Sequence, residues 1–310
     1  MDLSSINPAL LVAALMVASV PILLAAIGEM VVEKAGVLNL GVEGMMIMGA
    51  ICGFSMAMTT GSAPLGFIGA AIGGAALSLI FAVLTQYFLT NQVATGLALT
   101  LFGLGLSSLV GQGYQGLKPP LTQKWDLGLL SELPFVGQAF FYHDWVVYFS
   151  LILTIAVWAF LKYSRAGLVL RAVGENHDAA HALGYKVKLV RVAAIAFGGA
   201  CAGMGGAYIS LVRVPQWVDG MTAGAGWIAL AIVVFGSWRA GYVLLGAYLF
   251  GGVTVLQLNL QVAGLAIPVE YLSMSPYVIT ICVLVAISAT RSSTSLAAPG
   301  SLGRTFHAAS

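Results

Sequence analysis

The sequence predicts an all-α fold, a polytopic transmembrane helical bundle of about 8–10 spans, on three observations. Of 310 residues, 60% are hydrophobic and only 8% are charged. Mean hydropathy is +0.98. A soluble domain carries about 25% charged residues, so this chain has too few to face water. The apolar residues also come in long runs rather than in period-two alternation, which argues against a β-barrel. The net charge of +2 gives no basic surface for nucleic acid.

The first run, about 9–28, is long enough to cross ~30 Å of hydrocarbon. The residues before it lack the positive stretch of a cleaved signal, so it is read as a permanent helix. The runs 43–59, 65–89, 92–112 and 144–161 follow, with Gly61-Ser-Ala-Pro64 as a tight link. Then come 192–212, 222–237, 241–262 and 274–290. The run 222–237 is short, and a half-span is the alternative. One membrane domain therefore covers residues 1–290, and the Ser/Ala/Gly-rich segment 291–310 reads as a flexible cytoplasmic tail.

Lysine and arginine orient the bundle. The loop at about 162–191 is the richest, with Lys162, Arg165, Arg171, Lys186, Lys188 and Arg191, and is set inside. Alternation then puts Lys34, Arg239, Arg291 and Arg304 inside as well, with the N-terminus out. The outer loop 113–143 holds Pro119, Pro120, Pro134, Trp125, Phe135, Phe140, Phe141 and Tyr142. It reads equally as a membrane-hugging segment and as a surface for an extracytoplasmic partner.

Residues 29–50 carry carboxylates, an asparagine and several glycines between two apolar spans. Polar groups in hydrocarbon need protein or water around them, often along a solute path. Two readings stay open. In one, Gly36, Gly41 and Gly44 let a helix break, and Asn39 and Glu43 meet a polar solute. In the other, a cytoplasmic turn leads into a helix beginning near Glu43, whose charge suits a helix N-terminus. The substrate-path candidates are thus Asn39, Gly41, Glu43 and Gly44.

The cytoplasmic stretch 171–187 predicts a short docking helix. Asn176 is an N-cap, Asp178 to Leu183 the helix, and Gly184 its C-cap. The small residues Ala179, Ala180 and Ala182 admit close approach by another protein. Glu175 offers an ionic contact. His177 and His181 stand at i and i+4 but lack a third ligand nearby, so no metal site is assigned. Cys52, Cys201 and Cys282 lie in apolar runs and read as buried thiols. Gly69-x-x-x-Gly73 and Gly199-x-x-x-Gly203 allow close helix contact. Trp238 and Arg239 read as interface anchors in a tight inside turn. There is no Gly-x-x-x-x-Gly-Lys-Ser/Thr loop and no catalytic set, so no ATP hydrolysis is expected from this chain. Ionisable residues look nearly absent from the spans, which argues against a proton-relay pump.

Three stretches carry a family resemblance. These are Glu33-Lys-Ala-Gly-Val-Leu-Asn-Leu-Gly-Val-Glu-Gly-Met45, Ala172-Val-Gly-Glu-Asn-His-Asp-Ala-Ala-His-Ala-Leu-Gly-Tyr185, and the Gly-rich pair from Ile228 to Ala247. In order and spacing they resemble permease subunits of bacterial ABC importers, in the branched-chain amino acid/ribose/nucleoside group and its nucleoside branch. The resemblance covers about residues 10–290, and departs from the family at His177, where proline is commoner. It implies a multi-pass protein of the bacterial cytoplasmic membrane. The implied partners are an ATPase subunit that uses ATP and Mg, a second homologous permease, an extracytoplasmic solute-binding lipoprotein, and membrane lipid. It also implies that Glu175, Asn176, Ala179, Ala180 and Gly184 belong to the loop that docks on the ATPase. The expected cargo is a nucleoside or purine-like solute; ribose-type sugars or branched-chain amino acids are the alternative. A stand-alone secondary transporter or channel is the competing class. Such a carrier has no need of a docking loop.

Overall fold

Eleven helices and two short strands make up the described part of the computed structural model, which comprises residues 8–126, 128, 131, 135–262, 298–307 and isolated positions between 271 and 285. The span expected at 274–290 lies for the most part outside the described residues. Seven of the described helical segments are long and apolar enough to cross a membrane.

Helix α1 runs from Pro8 to Lys34, α2 from Val42 to Thr60, α3 from Ala63 to Gln86 and α4 from Gln92 to Gly111. The links are as tight as the glycines and prolines demand. Gly61 ends α2 in the left-handed conformation at φ 68°, with its N–H on the Ala57 carbonyl at 2.9 Å, and Pro64 opens α3. Asn91 caps α4 by accepting from the Ala94 N–H.

The outer loop forms more structure than expected. Strand β1 (Lys124–Asp126) pairs antiparallel with β2 (Tyr142–Asp144), with α5 (Val136–Phe140) between them. Asp144 then caps α6 (Trp145–Tyr163) through the Val146 and Val147 N–H groups, and its other oxygen accepts the Tyr208 hydroxyl at 2.7 Å. The helix α7 (Arg165–Glu175) and the short α8 (His177–Ala182) follow.

Helix α9 (Val187–Tyr208), prolonged by a π-turn over Ile209–Arg213, is the axis of the fold and packs on α1, α2 and α3. Its seam with α2 and α3 is built from backbone. A Cβ on Gly203 would overlap the Ala70 carbonyl, one on Gly49 the Gly203 backbone, and one on Gly74 the Gly199 carbonyl. Close backbone approach of this kind replaces the apolar driving force that lipid removes.

Two expectations about spans change. The first apolar run does not stop near residue 28: α1 continues to Lys34 and brings Glu29 and Glu33, both buried, into the bundle. The run 222–237 yields only α10 (Ala225–Phe235), 11 residues and about 16 Å long, which is half of what a bilayer requires. Helix α11 (Ala240–Val262) completes the described bundle.

Candidate functional site: a polar core and a docking helix

The break between α1 and α2 is held by polar side chains. Gly36, at φ +83°, reverses the chain after α1. Asn39 is fully buried: its amide donates to Glu29 Oε2 at 3.5 Å and to the Met45 sulfur at 3.3 Å, and its Oδ1 accepts from the Gly41 N–H at 3.0 Å. Gln92 accepts from the Leu38 N–H at 2.8 Å, and the Thr100 hydroxyl donates to the Leu40 carbonyl at 3.2 Å. Two of the turn's open backbone groups, the Leu38 N–H and the Leu40 carbonyl, are thereby answered by side chains of α4.

Glu43 has three donors. Its Oε1 accepts the Thr222 hydroxyl at 2.6 Å and the Gly224 N–H at 2.9 Å, and its Oε2 accepts the Gly226 N–H at 2.7 Å. These are the free amides at the start of α10, so a carboxylate on α2 caps a helix far away in sequence. The other end of α10 is fixed by Glu33, whose Oε2 accepts the Trp238 indole N–H. Trp238 is therefore a buried clasp rather than an interface anchor; Arg239 beside it is exposed. Among the described residues, Glu29 Oε1 and Glu33 Oε1 are buried with no hydrogen-bond partner. The impression that the spans hold almost no ionisable groups is corrected by these two.

The glycine candidates act through space rather than through unusual dihedrals. Gly41 has φ −84°, open to any residue, and lies against Gly96 of α4. A Cβ at Gly44 would come within 2.7 Å of the Thr100 Cα.

Helix α8 forms as its caps predict. Asn176 Oδ1 accepts from the Asp178 and Ala179 N–H groups at 3.1 and 3.0 Å, and Gly184 at φ +87° closes the turn on the His181 carbonyl at 2.8 Å. Glu175, Ala179, Ala182, Leu183 and Gly184 are exposed. Ala180 is not. At 2% exposure it faces inward, packed with Val173, Val187 and Phe306.

Phe306 comes from the segment read as a flexible tail, and residues 298–307 are instead laid across α7 and α8. The Ser301 N–H donates to the Gly174 carbonyl at 2.8 Å, and Ser301 Oγ accepts from the His177 N–H at 3.2 Å. The Phe306 ring meets His177 and His181 edge-on, at 5.4 and 5.2 Å between centroids. The rest of the tail, 291–297 and 308–310, lies outside the described residues.

Arg191 ties these parts together, and sequence reasoning missed it. It is fully buried on α9 and donates to the Ala35 carbonyl at 3.2 Å, to the Arg304 carbonyl at 3.0 Å and to His177 Nδ1 at 3.2 Å. Helix α8, the strap 298–307 and the break after α1 thus share one guanidinium. Burial first, and then the nearby Arg191 charge, hold the His177 imidazole below its usual pKa, against the pull of Asp178. The neutral ring can accept at Nδ1.

Compared with known proteins, residues 11–284 match the family model for the permease component of the branched-chain amino acid transport system. The chain belongs to that family. A putative glucose ABC transporter permease of Haloferax volcanii is 39% identical, over 94% of this chain and 95% of the relative. A nucleoside ABC transporter permease of Lactococcus lactis is 33% identical and a guanosine ABC transporter permease of Bacillus subtilis 30%, each over 89% of this chain and 91% of the relative. The permease resemblance of the three quoted stretches is thus met over nearly the whole chain.

Proposed function

We propose that this permease works as one of two membrane subunits of an ATP-driven importer in the bacterial cytoplasmic membrane, and that it carries nucleosides or purine-like solutes inward. A separate ATPase supplies the energy, and an extracytoplasmic binding lipoprotein supplies the solute. The observation that carries the reading is α8: a capped helix that presents Ala179, Ala182 and Leu183 to solvent, beside spans with no nucleotide-binding loop. A small-residue surface of this form suits a cleft on a partner.

In this reading Glu43, Asn39, Gly41 and Gly44 sit where α2, α4 and α10 meet, and they set the geometry of the path rather than line it as free ligands. A hexose is the second cargo reading, favoured by the 39% relative named for glucose. Proteoliposomes holding this chain, its partner permease and the ATPase, with ATP inside and the binding protein outside, decide between them. The expected result is ATP-dependent accumulation of radiolabelled guanosine or uridine. Uptake of glucose alone would correct the cargo. Accumulation by this chain alone on a proton or sodium gradient would overturn the assignment to an ATP-driven machine.

A further inference from the structure

On the face that carries α7 and α8, two helix ends, a helix and a turn bring four cations together. Lys34 closes α1, Lys162 lies in the last turn of α6, Arg171 lies on α7, and Arg239 stands in the turn before α11. They border a cleft of about 610 Å³, walled also by Trp158, Trp238 and Tyr242. Among the described residues none of the four makes a salt bridge. Two carboxylates are near. Glu33 is occupied by the Trp238 indole, and Glu175 reaches Lys34 only through space, while Arg171 and Arg239 add like charge there.

The cations are arranged rather than scattered. The Lys162 ammonium lies 5.0 Å from the centre of the Trp158 ring and 5.1 Å from that of Tyr163, and the Arg239 guanidinium lies 5.9 Å from that of Tyr242. Aromatic rings and basic side chains placed together mark the depth of the headgroups. Converging like charges with no direct ion pair repel, and an anion in the cleft relieves that repulsion. Below the cleft, α11 turns Tyr242, Leu245, Leu249 and Leu256 outward, a stripe at helical spacing, with 63% of Leu245, 45% of Leu249 and 55% of Leu256 left uncovered by protein. Charge above and an apolar track below fit an amphiphile better than a free ion.

We propose that this cleft binds the phosphate of an anionic glycerophospholipid of the inner leaflet, with an acyl chain lying along the α11 stripe. Basic pockets between spans on the cytoplasmic side take such headgroups. The proposal needs only that the chain spans a bilayer with this face inward; it does not depend on the solute carried.

The test is native mass spectrometry of the full chain in neutral detergent, titrated with phosphatidylglycerol or phosphatidylcholine. Phosphatidylglycerol is expected to be retained at least about tenfold better, since several cations face its phosphate. The triple variant Lys162→Gln/Arg171→Gln/Arg239→Gln should weaken its retention by about 100-fold. Lys186→Gln/Lys188→Gln, outside the cleft, should leave it unchanged. Each single cleft variant is measured alongside, so that poor folding of the triple does not hide the answer. Equal retention of the two lipids, or normal retention by all the cleft variants, would overturn the proposal. Displacement of phosphatidylglycerol by millimolar inorganic phosphate would replace the lipid with a soluble anion. In vesicles of phosphatidylethanolamine and phosphatidylglycerol, a photoreactive side chain at position 245 should join lipid; joining another polypeptide instead would overturn it.

Discussion

Glu43 caps a helix to which it does not belong, and this decides what its replacement does. Glu43→Gln keeps an oxygen for Thr222 or Gly224 but turns an amine toward one of the α10 amides. A charge-assisted hydrogen bond is lost and a buried N–H is left open, at a cost of about 2 kcal/mol. The expected outcome is a lower unfolding midpoint in detergent together with slower uptake; an unchanged midpoint would separate Glu43 from α10. His177 makes a second residue-scale prediction. Its folded-state pKa is depressed, so the stability it lends to the strap is present above about 6.5, the unfolded value, and is lost as pH falls through the folded-state value. The protection factors of the amides over 298–307, taken against the intrinsic exchange rate at each pH, should therefore fall on acidification, and His177→Phe should flatten that response while the ring contact with Phe306 persists. At this scale the sequence was legible where chemistry is local. Asn176 and Gly184 cap α8 because capping involves neighbours within a turn. The burial of Arg191 was not legible, because its acceptors on Ala35 and Arg304 lie in distant parts of the chain, and it reads as one more basic residue in a cytoplasmic loop.

The elements themselves were mostly legible from long apolar runs, and the exceptions have physical causes. Helix α10 reads as a span because all of it is apolar, its shortness leaves a half-span open, and the structure gives 11 helical residues held at the two ends by carboxylates of α2 and α1. The strands β1 and β2 have three residues each, too few for an alternating pattern to register. The strap was hidden by composition, since serine, alanine and glycine also make mobile tails, and Phe306 is its one large buried apolar side chain among the described residues. That anchor can be removed. Phe306→Ala should cost about 3 kcal/mol of strap docking, as for other buried phenylalanines. Limited proteolysis should then cut within 298–307 while the membrane helices stay intact, and ATP-driven uptake should fall as α8 loses its backing from Ser301. Uptake at the original rate with the strap cleaved would show that α8 needs no support. Gly184→Val tests the other side of the helix. It strains a left-handed position that nothing crowds, so an effect on uptake reports the shape of α8 and not its packing.

For the whole molecule, the charge distribution predicts an orientation that labelling can check. A cysteine at Gln123, exposed in the outer loop, should react with an impermeant maleimide in intact cells, whereas one at Leu183 should react only after permeabilisation. The reverse pattern would invert the bundle and with it the assignment of α8 to an ATPase. The fold class and the family could be read from composition and three stretches of sequence, because both rest on patterns that repeat or persist. The polar core could be read only in part: Asn39 and Glu43 stand out as polar residues in an apolar context, but their partners Glu29 and Thr222, and the Gln92 and Thr100 side chains that bond the turn's backbone, are unremarkable until the helices meet.

The backbone seam around α9 has one further consequence. Where Gly49, Gly74 and Gly203 touch carbonyls and Cα atoms of the facing helix, there is no side chain to trim. Every substitution at these positions adds atoms, so each one pushes helices apart and none leaves a cavity. Variation at the centre of this protein can therefore only tighten to the point of rupture, never loosen by degrees. Any gradual adjustment of how far its helices move, whether by selection or by design, has to come from the rim, from residues that can still be made smaller.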